Sequence, residues 1–362
     1  MNILLARGNP RKDGYTQRIT DLLVQGARDA GAVVTDVDLT TKKISECIGC
    51  YTCFTATPGR CIFNDDMAGL LELILQSDIL LCSTPLYHYM MSSWCKRFLE
   101  RTLPLTMQGF EKTPRGLMRN RPRYPERWTN KKFGFISAGA FRSQENFDAL
   151  RAAFRLLADG FGSELCAEIT RPEAYLLQFD LAKPKTVRSI ETALKRAGAE
   201  LAIDGRVSEK THQEIVLPLA VDMLHFLKYS EIYWEHAMRM GRDARDLAKV
   251  QREVLGDMRV LMSEMARSID PAAAAKLKAV LQFDFPDKDL HFRFAVDRGT
   301  CTMEETASEK CDLRVVVDTV IWSKVFTRQI NVREALMKKQ IVLEGDKMLF
   351  TRLDRYFPPP VS

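Results

Sequence analysis

Ile3-Leu-Leu-Ala6, followed at once by Arg7-Gly-Asn-Pro-Arg-Lys-Asp-Gly-Tyr-Thr16, reads as a short apolar strand running into a polar, glycine-containing loop. From about Thr16 to Ala30, Ile19, Leu22, Leu23 and Ala27 recur on one helical face. A strand that opens a helix through such a loop offers an anion-binding arrangement, because loop N–H groups and the helix N-terminus converge on one place. Neither G-x-G-x-x-G nor G-x-x-x-x-G-K-[ST] occurs, so the loop is neither a dinucleotide fingerprint nor a P-loop. A plain βα turn with surface charge is the other reading.

The same rhythm continues downstream. Val33 to Leu39 is a second strand, Asp65-Asp66 caps a helix to about Gln76, and Asp78 to Ser83 is a buried third strand ending in Thr84-Pro-Leu-Tyr-His-Tyr89. A helix from about Ser92 to Arg101 follows. Phe133 to Ser137 is a fourth strand ending in Ala138-Gly-Ala-Phe-Arg142, with a helix from about Gln144 to Phe161. A fifth strand (about Glu164 to Thr170) and a helix (about Lys185 to Ala202) close the series. Strands alternating with helices predict an α/β domain with a doubly wound, five-stranded parallel sheet. Such a sheet binds ligands beyond the carboxyl ends of its strands, where all three special loops fall.

Between the second strand and its helix lies Cys47-Ile-Gly-Cys50-Tyr-Thr-Cys53-Phe-Thr-Ala-Thr-Pro-Gly-Arg-Cys61, which holds four of the nine cysteines. Structural zinc favours paired C-x2-C units on separate arms, and the middle cysteine fits that badly. C-x2-C-x2-C runs of soft thiolates suit an iron–sulfur cluster. Four reduced thiols or a redox disulfide are the alternatives. Cys82 and Cys95 read as core.

Length and composition agree with a globular, unexported protein. At 362 residues the chain suits two domains, and 46% apolar with 28% charged residues is ordinary. No apolar run reaches membrane-spanning length and the N-terminus lacks a signal-peptide pattern, so a cytoplasmic location is expected. The net charge of +6 is local: residues 104–132 carry eight Lys or Arg and two acids. The remainder is neutral, which argues against nucleic-acid binding. This insert, with Arg115, Arg119, Arg121, Arg123, Arg127 and Trp128 among prolines, reads as an ordered loop. It would serve either as a clamp for NADPH phosphates or an acidic redox partner, or as an oligomer contact paired with acids.

Gly8-Asn-Pro-Arg-Lys-Asp-Gly-Tyr-Thr16, the Cys47–Cys61 run with Asp65-Asp66-Met67, and Thr84-Pro-Leu-Tyr87 together resemble the NAD(P)H-dependent FMN reductases of flavodoxin-like fold, and within them the iron–sulfur flavoproteins. The resemblance spans residues 1–205. It implies that Asn9, Arg11, Gly14, Tyr15 and Thr16 hold the FMN phosphate. Pro85, Leu86, Tyr87 and His88 would lie along the isoalloxazine, with Ser137, Ala138 and Gly139 on its other side. Cys47, Cys50, Cys53 and Cys61 would carry a [4Fe–4S] cluster, and the protein would be a homo-oligomer. The family usually has Ser at the position of Asn9 and a small polar residue at that of Tyr15; Asn can still donate to phosphate. His88 reads as an aromatic wall or scaffold more than an acid–base group. No side chain is assigned a catalytic role, because hydride transfer to flavin needs positioning more than a protein acid.

After Gly205 the rhythm stops. Residues 206–269 read as a helical linker, with Leu219, Met223, Phe226, Leu227, Tyr233 and Trp234 on one stripe. A second stripe holds Leu247, Val250, Val254, Met258, Leu261 and Met265. The first lacks the basic face of a membrane-surface helix. Residues 270–362 change character. Val280 to Phe285 and Leu290 to Val296 alternate strictly, Asp297-Arg-Gly299 turns the chain, and Leu313 to Val317 is a strand. A Trp322 helix, a helix capped by Asn331, the strand Ile341 to Leu343 and a last helix predict an α+β layer. Leu281-Gln-Phe-Asp-Phe285, Cys311-Asp-Leu-Arg-Val and Ile341-Val-Leu-Glu-Gly-Asp346 resemble a sterol carrier protein domain over 270–358. That family implies an apolar tunnel, which Trp322, Phe326, Met337, Met348 and Leu349 would line unless they are solid core.

The expected function is an FMN oxidoreductase passing electrons from NAD(P)H or a ferredoxin-type donor through FMN and the cluster to an acceptor, such as a quinone or other apolar molecule. A non-catalytic electron carrier and a lipid-binding protein with a vestigial flavin site are the rivals.

Overall fold

The structure, a computed structural model, describes residues 1–113, 115–128, 130–178, 184–219, 234, 238, 257–326 and 330–358. They fall into two compact units, Met1–Leu177 with Lys185–Pro218, and Gln178–Pro184 with Leu219–Ser362.

In the first unit, β1 (Asn2–Arg7), α1 (Tyr15–Asp29), β2 (Val33–Asp38), α2 (Met67–Gln76), β3 (Ile79–Pro85) and α3 (Ser93–Glu100) come first. A hairpin β4 (Thr106–Lys112) and β5 (Met118–Pro122) and a short helix α4 (Pro125–Trp128) precede β6 (Lys132–Ala138). Then follow α5 (Asp148–Phe161), β7 (Glu164–Arg171), α6 (Pro184–Ile203) and α7 (Glu209–Ile215). The sheet order β2-β1-β3-β6-β7 is parallel throughout. Leaving out the hairpin, this is the 2-1-3-4-5 order of flavodoxin-like folds. β3 is buried at every position, because helices cover both faces of the central strands.

The insert differs from the sequence expectation. It is an antiparallel hairpin with a register shift between Met107 and Phe110, not a loop. Pro122 ends β5 and Pro125 starts α4, positions where a missing N–H costs little. Arg119 pairs with Glu111 and Arg127 with Glu72, while Arg123 donates to the carbonyls of Cys53, Pro104 and Thr106. Three of its five arginines are therefore spent on structure.

The second unit builds a mixed sheet from β8 (Lys278–Phe285), β9 (Leu290–Asp297), β10 (Thr300–Glu304), β11 (Leu313–Val317) and β12 (Ile341–Gly345), in the order β10-β9-β8-β11-β12. β10 had no expectation from the sequence, since Thr300 to Glu304 is polar edge strand. Leu281, Phe283, Phe285, Phe292, Phe294 and Val315 enter a core shared with helices Met258–Arg267 and Thr319–Phe326. The alternate residues form a polar face: Asp284 accepts from His291 Nδ1 (2.8 Å), Arg314 (2.6 Å) and Gln282 (2.8 Å). Strict alternation thus reports a sheet covered by helices on one side only. Trp322 is buried, but Met337 and Met348 are 79% and 58% exposed, so those two stand outside the core. Of the stripe expected over 218–240, all but Leu219 and Trp234 lies outside the described residues, as do Leu247, Val250 and Val254.

Candidate functional site

Because the first sheet is parallel, Arg7, Pro85, Ala138 and Arg171 end on one edge. The chain leaves β1 for β2 on one side and then crosses to β3 on the other, so the switch point lies between β1 and β3. Loop 8–14 stands there. Gly8 N–H bonds the Ser83 carbonyl (2.7 Å), and Ser92 Oγ donates to the Gly8 carbonyl (2.6 Å). A Cβ at Gly8 would meet Ser92 Oγ at 2.8 Å, so the close approach of this loop to α3 requires glycine.

Asn9 is buried. Its amide oxygen accepts from Ser83 Oγ (3.0 Å) and its nitrogen donates to Gln17 (2.6 Å), which leaves one N–H uncommitted. Ser83 is further held by Thr20, whose hydroxyl also bonds the Thr16 carbonyl. Thr16 is buried, Gly14 and Tyr15 are half-buried, and Arg11 is exposed. Gly14 is the N-cap of α1 in extended conformation, with no side-chain cap and no acid in the first turn. The N–H groups at this end of α1 are therefore left for an anion.

The β3 loop turns tightly: Tyr87 and Met90 exchange backbone hydrogen bonds at 2.9 Å around His88 and Tyr89, which take φ of +46° and +64°. Two positive φ angles make a type I′-like turn that normally selects Gly or Asn. His88 is exposed there. Tyr89 stacks on Phe141 of the β6 loop (5.6 Å, 3° between planes), tying the two strand-end loops together. Leu86 N–H bonds the Ala138 carbonyl, and a Cβ at Gly139 would come within 3.1 Å of Leu86 and 2.9 Å of Phe147. Ser137 Oγ is fully buried and has no partner among the described residues.

The end of β7 carries a polar group that sequence reasoning missed. Arg171 is fully buried and donates to the carbonyls of Ile215 (2.6 Å) and Leu217 (2.8 Å). Burial pulls its pKa down to about 10 against the opposing pull of Glu173. Glu173 is itself buried with φ +50°. A charged pair inside a "strand end" has no periodic signature, so nothing in the pattern announced it.

The four cysteines Cys47, Cys50, Cys53 and Cys61 line one pocket, together with Tyr51, Phe63 and Arg101. Burial raises the Cys53 thiol, and the neighbouring thiols of Cys61, Cys50 and Cys47 raise it further. Thr52 Oγ1 donates to Cys50 Sγ at 3.3 Å, and this bond lowers the Cys50 thiol. Among the described residues no three Cys, His, Asp or Glu converge tightly enough for a single metal ion. A cluster asks something different, since each corner iron takes one thiolate and the ligands need only surround it. Asp65 was expected to cap α2, and its carboxylate does accept the Met67 N–H (3.1 Å), but its larger role is to bind Arg101 and the Ser45 N–H. Burial opposes its charge, yet the Arg101 fork and those N–H groups outweigh it and hold its pKa down at about 2. Cys82 and Cys95 are fully buried, as core residues.

A strand-end anion loop, a tight aromatic turn and a four-thiol loop on one flavodoxin-like edge define a class, a flavodoxin-like domain with a thiol-rich loop. Residues 1–159 match the NADPH-dependent FMN reductase family, and residues 256–358 match the SCP-2 sterol transfer family. The chain thus joins an FMN-reductase-type domain to a sterol-carrier-type domain. An iron-sulfur flavoprotein of Archaeoglobus fulgidus is 34% identical over 97 residues, which is 27% of this chain and 43% of that one. An iron-sulfur flavoprotein of Methanocaldococcus jannaschii is 26% identical over 111 residues, 31% of this chain and 56% of that one. The chain spans about half the length of these curated relatives. Among solved structures, an FMN-dependent NADH-azoreductase from Bacillus anthracis in complex with FMN aligns with a TM-score of 0.43 at 10% identity, over 56% of this chain and 99% of that one. Among the described residues no helix is long and apolar enough to cross a membrane.

Proposed function

We propose that this protein is an FMN-dependent oxidoreductase that passes electrons from NAD(P)H or a ferredoxin-type donor, by way of FMN and a [4Fe–4S] cluster, to an acceptor such as a quinone or other apolar molecule. The observation that carries the reading is the convergence of the β1, β3 and β6 loops on the switch-point edge of a domain matched by the FMN reductase family. When bound, FMN supplies a centre that exchanges electrons in pairs or singly, and the cluster supplies a one-electron relay.

The chain's own residues supply the mount. The uncapped start of α1, the remaining Asn9 N–H, the Thr16 hydroxyl and Arg11 would hold the phosphate, with Gly14 and Tyr15 donating through backbone. Pro85, Leu86, Tyr87 and His88 would border one side of the ring and Ser137, Ala138 and Gly139 the other. The unsatisfied Ser137 hydroxyl is a buried donor suited to a polar atom of a ligand. Cys47, Cys50, Cys53 and Cys61 would ligate the cluster. Residues 206–269 would act as the joint to the sterol-carrier-type unit, which would present the apolar acceptor.

On protein purified without oxygen, iron, acid-labile sulfide and FMN per chain test this directly. About four irons and four sulfides per FMN are expected. Flavin without iron would remove the cluster, and absence of flavin would overturn the reading. Single-turnover reduction by NADPH distinguishes the enzyme from a carrier that accepts electrons only from a ferredoxin. Combined Arg11→Ala and Thr16→Val replacement should weaken FMN binding by more than about tenfold, the loss of roughly 1.5–3 kcal/mol for hydrogen bonds to a charged group. Unchanged retention of FMN on dialysis would place the phosphate elsewhere.

A further inference from the structure

Arg101 follows α3 and is only 1% exposed, although it carries a permanent charge. Its fork closes on Asp65, with Nη1 to Oδ2 at 2.8 Å and Nη2 to Oδ1 at 3.0 Å. Nη1 also donates to the Ser45 carbonyl (2.7 Å), and the guanidinium lies 5.0 Å from the centre of the Phe63 ring. Ser45 stands two residues before Cys47, and Phe63 two residues after Cys61. One side chain from the core thus grips both stems of the cysteine loop. The same guanidinium lines the four-thiol pocket together with Cys47, Cys50, Cys53 and Cys61. Its Nε is buried with no partner among the described residues, a donor left over on a side chain that lines the four-thiol pocket.

We propose that Arg101 is the positioning residue of the cysteine loop: it ties the two stems together and sets a fixed positive charge beside the four thiols, which makes the cluster easier to reduce. The charge half rests on the cluster reading above; the stem half does not. Asp65 neutralises the arginine only in part, because its two oxygens meet Nη1 and Nη2 and leave Nε without a partner among the described residues. Adding an electron to a cluster held by four thiolates deepens a negative charge, and a nearby cation or donor to sulfur offsets that. Lysine could supply the charge but not the planar fork that spans both stems.

Two full-length variants separate the halves. Arg101→Lys keeps the charge and loses the fork. The double change Asp65→Asn with Arg101→Gln removes both charges and leaves no buried carboxylate unpaired. FMN content of each checks that the domain is folded. In chelator-stripped protein, trypsin should cut after Arg60 several-fold faster in both variants than in the parent. In cluster-loaded protein, a dye-mediated titration followed by electron paramagnetic resonance should place the double variant's midpoint lower by about a tenfold change in equilibrium constant, 59 mV for one electron, with Arg101→Lys near the parent. An unshifted double variant with a full complement of iron would overturn the charge half. Equal cleavage rates in folded variants would overturn the stem half. Parent protein with FMN and no iron would defeat the cluster reading and the charge half with it, and cleavage alone would then decide the stems.

Discussion

Replacing Glu264 with glutamine should stabilise the second unit by about 2–4 kcal/mol at pH 8 and by almost nothing near pH 4.5. Glu264 lies on the helix Met258–Arg267, which sinks Met258, Leu261, Met262 and Met265 into the core. The glutamate is 3% exposed, and its Oε1 has no hydrogen-bond partner among the described residues. Burial pushes its pKa from the ordinary 4.5 up to about 8, with Arg267 pulling only weakly the other way. The folded protein therefore keeps a proton that the unfolded chain releases above about 4.5. Between there and about 8 the folded state binds more protons, so stability falls as pH rises and levels off above 8. Glutamine keeps the shape and cannot ionise, so it removes that slope. The full shift corresponds to an upper bound of roughly 5 kcal/mol, which relaxation and water entry reduce. Calorimetry of the second unit's transition at pH 5 and pH 8 provides the check. Parallel pH dependence in variant and parent would show that the carboxyl is ionised in the fold.

Alanine at Gly198 or Gly26 should cost the first unit about 3 kcal/mol or more, against the usual gain for Gly to Ala in a helix. A Cβ on Gly198 would sit 1.9 Å from the Leu23 carbonyl oxygen, and one on Gly26 would sit 1.8 Å from that of Lys195. Both obstacles are backbone, so no rotamer can give way. Helices α1 and α6 touch through these two glycines, and either methyl would wedge them apart. Helix α1 follows loop 8–14 and carries Thr16 of the proposed phosphate site, so loss of FMN should accompany the loss of stability. Gly69 is the control. It lies in α2 with nothing within 4 Å of its Cβ position, and Gly69→Ala should stabilise by up to about 1 kcal/mol. A melting temperature for Gly198→Ala that rises as much as the control's would show that the helices are free to separate.

Much of the site was legible because it is local. Ile3 to Thr16 is contiguous, and its strand, loop and uncapped helix start all follow from neighbouring residues. The Cys47–Cys61 loop is equally local, and its thiols do line one pocket. The insert's hairpin is not legible because prolines read as loop signals, whereas Pro122 and Pro125 merely end a strand and start a helix. From the sequence Arg101 is the last residue of a helix, and Asp65 a cap. Their pairing across 36 residues has no mark in either segment.

The sequence by itself determined the alternation of strands and helices that builds the parallel sheet and the alternation that leaves one polar face on the second sheet. Those properties are set by short-range periodicity and by the stereochemistry of parallel crossovers. Only the tertiary structure decided which buried charges meet. It brought Arg101 onto Asp65 and Ser45, left Ser137 Oγ and Glu264 Oε1 without partners among the described residues, and stacked Tyr89 on Phe141. Such encounters depend on chain segments distant in sequence arriving at one place, and a polar residue in a pattern looks the same whether its partner is water or an arginine.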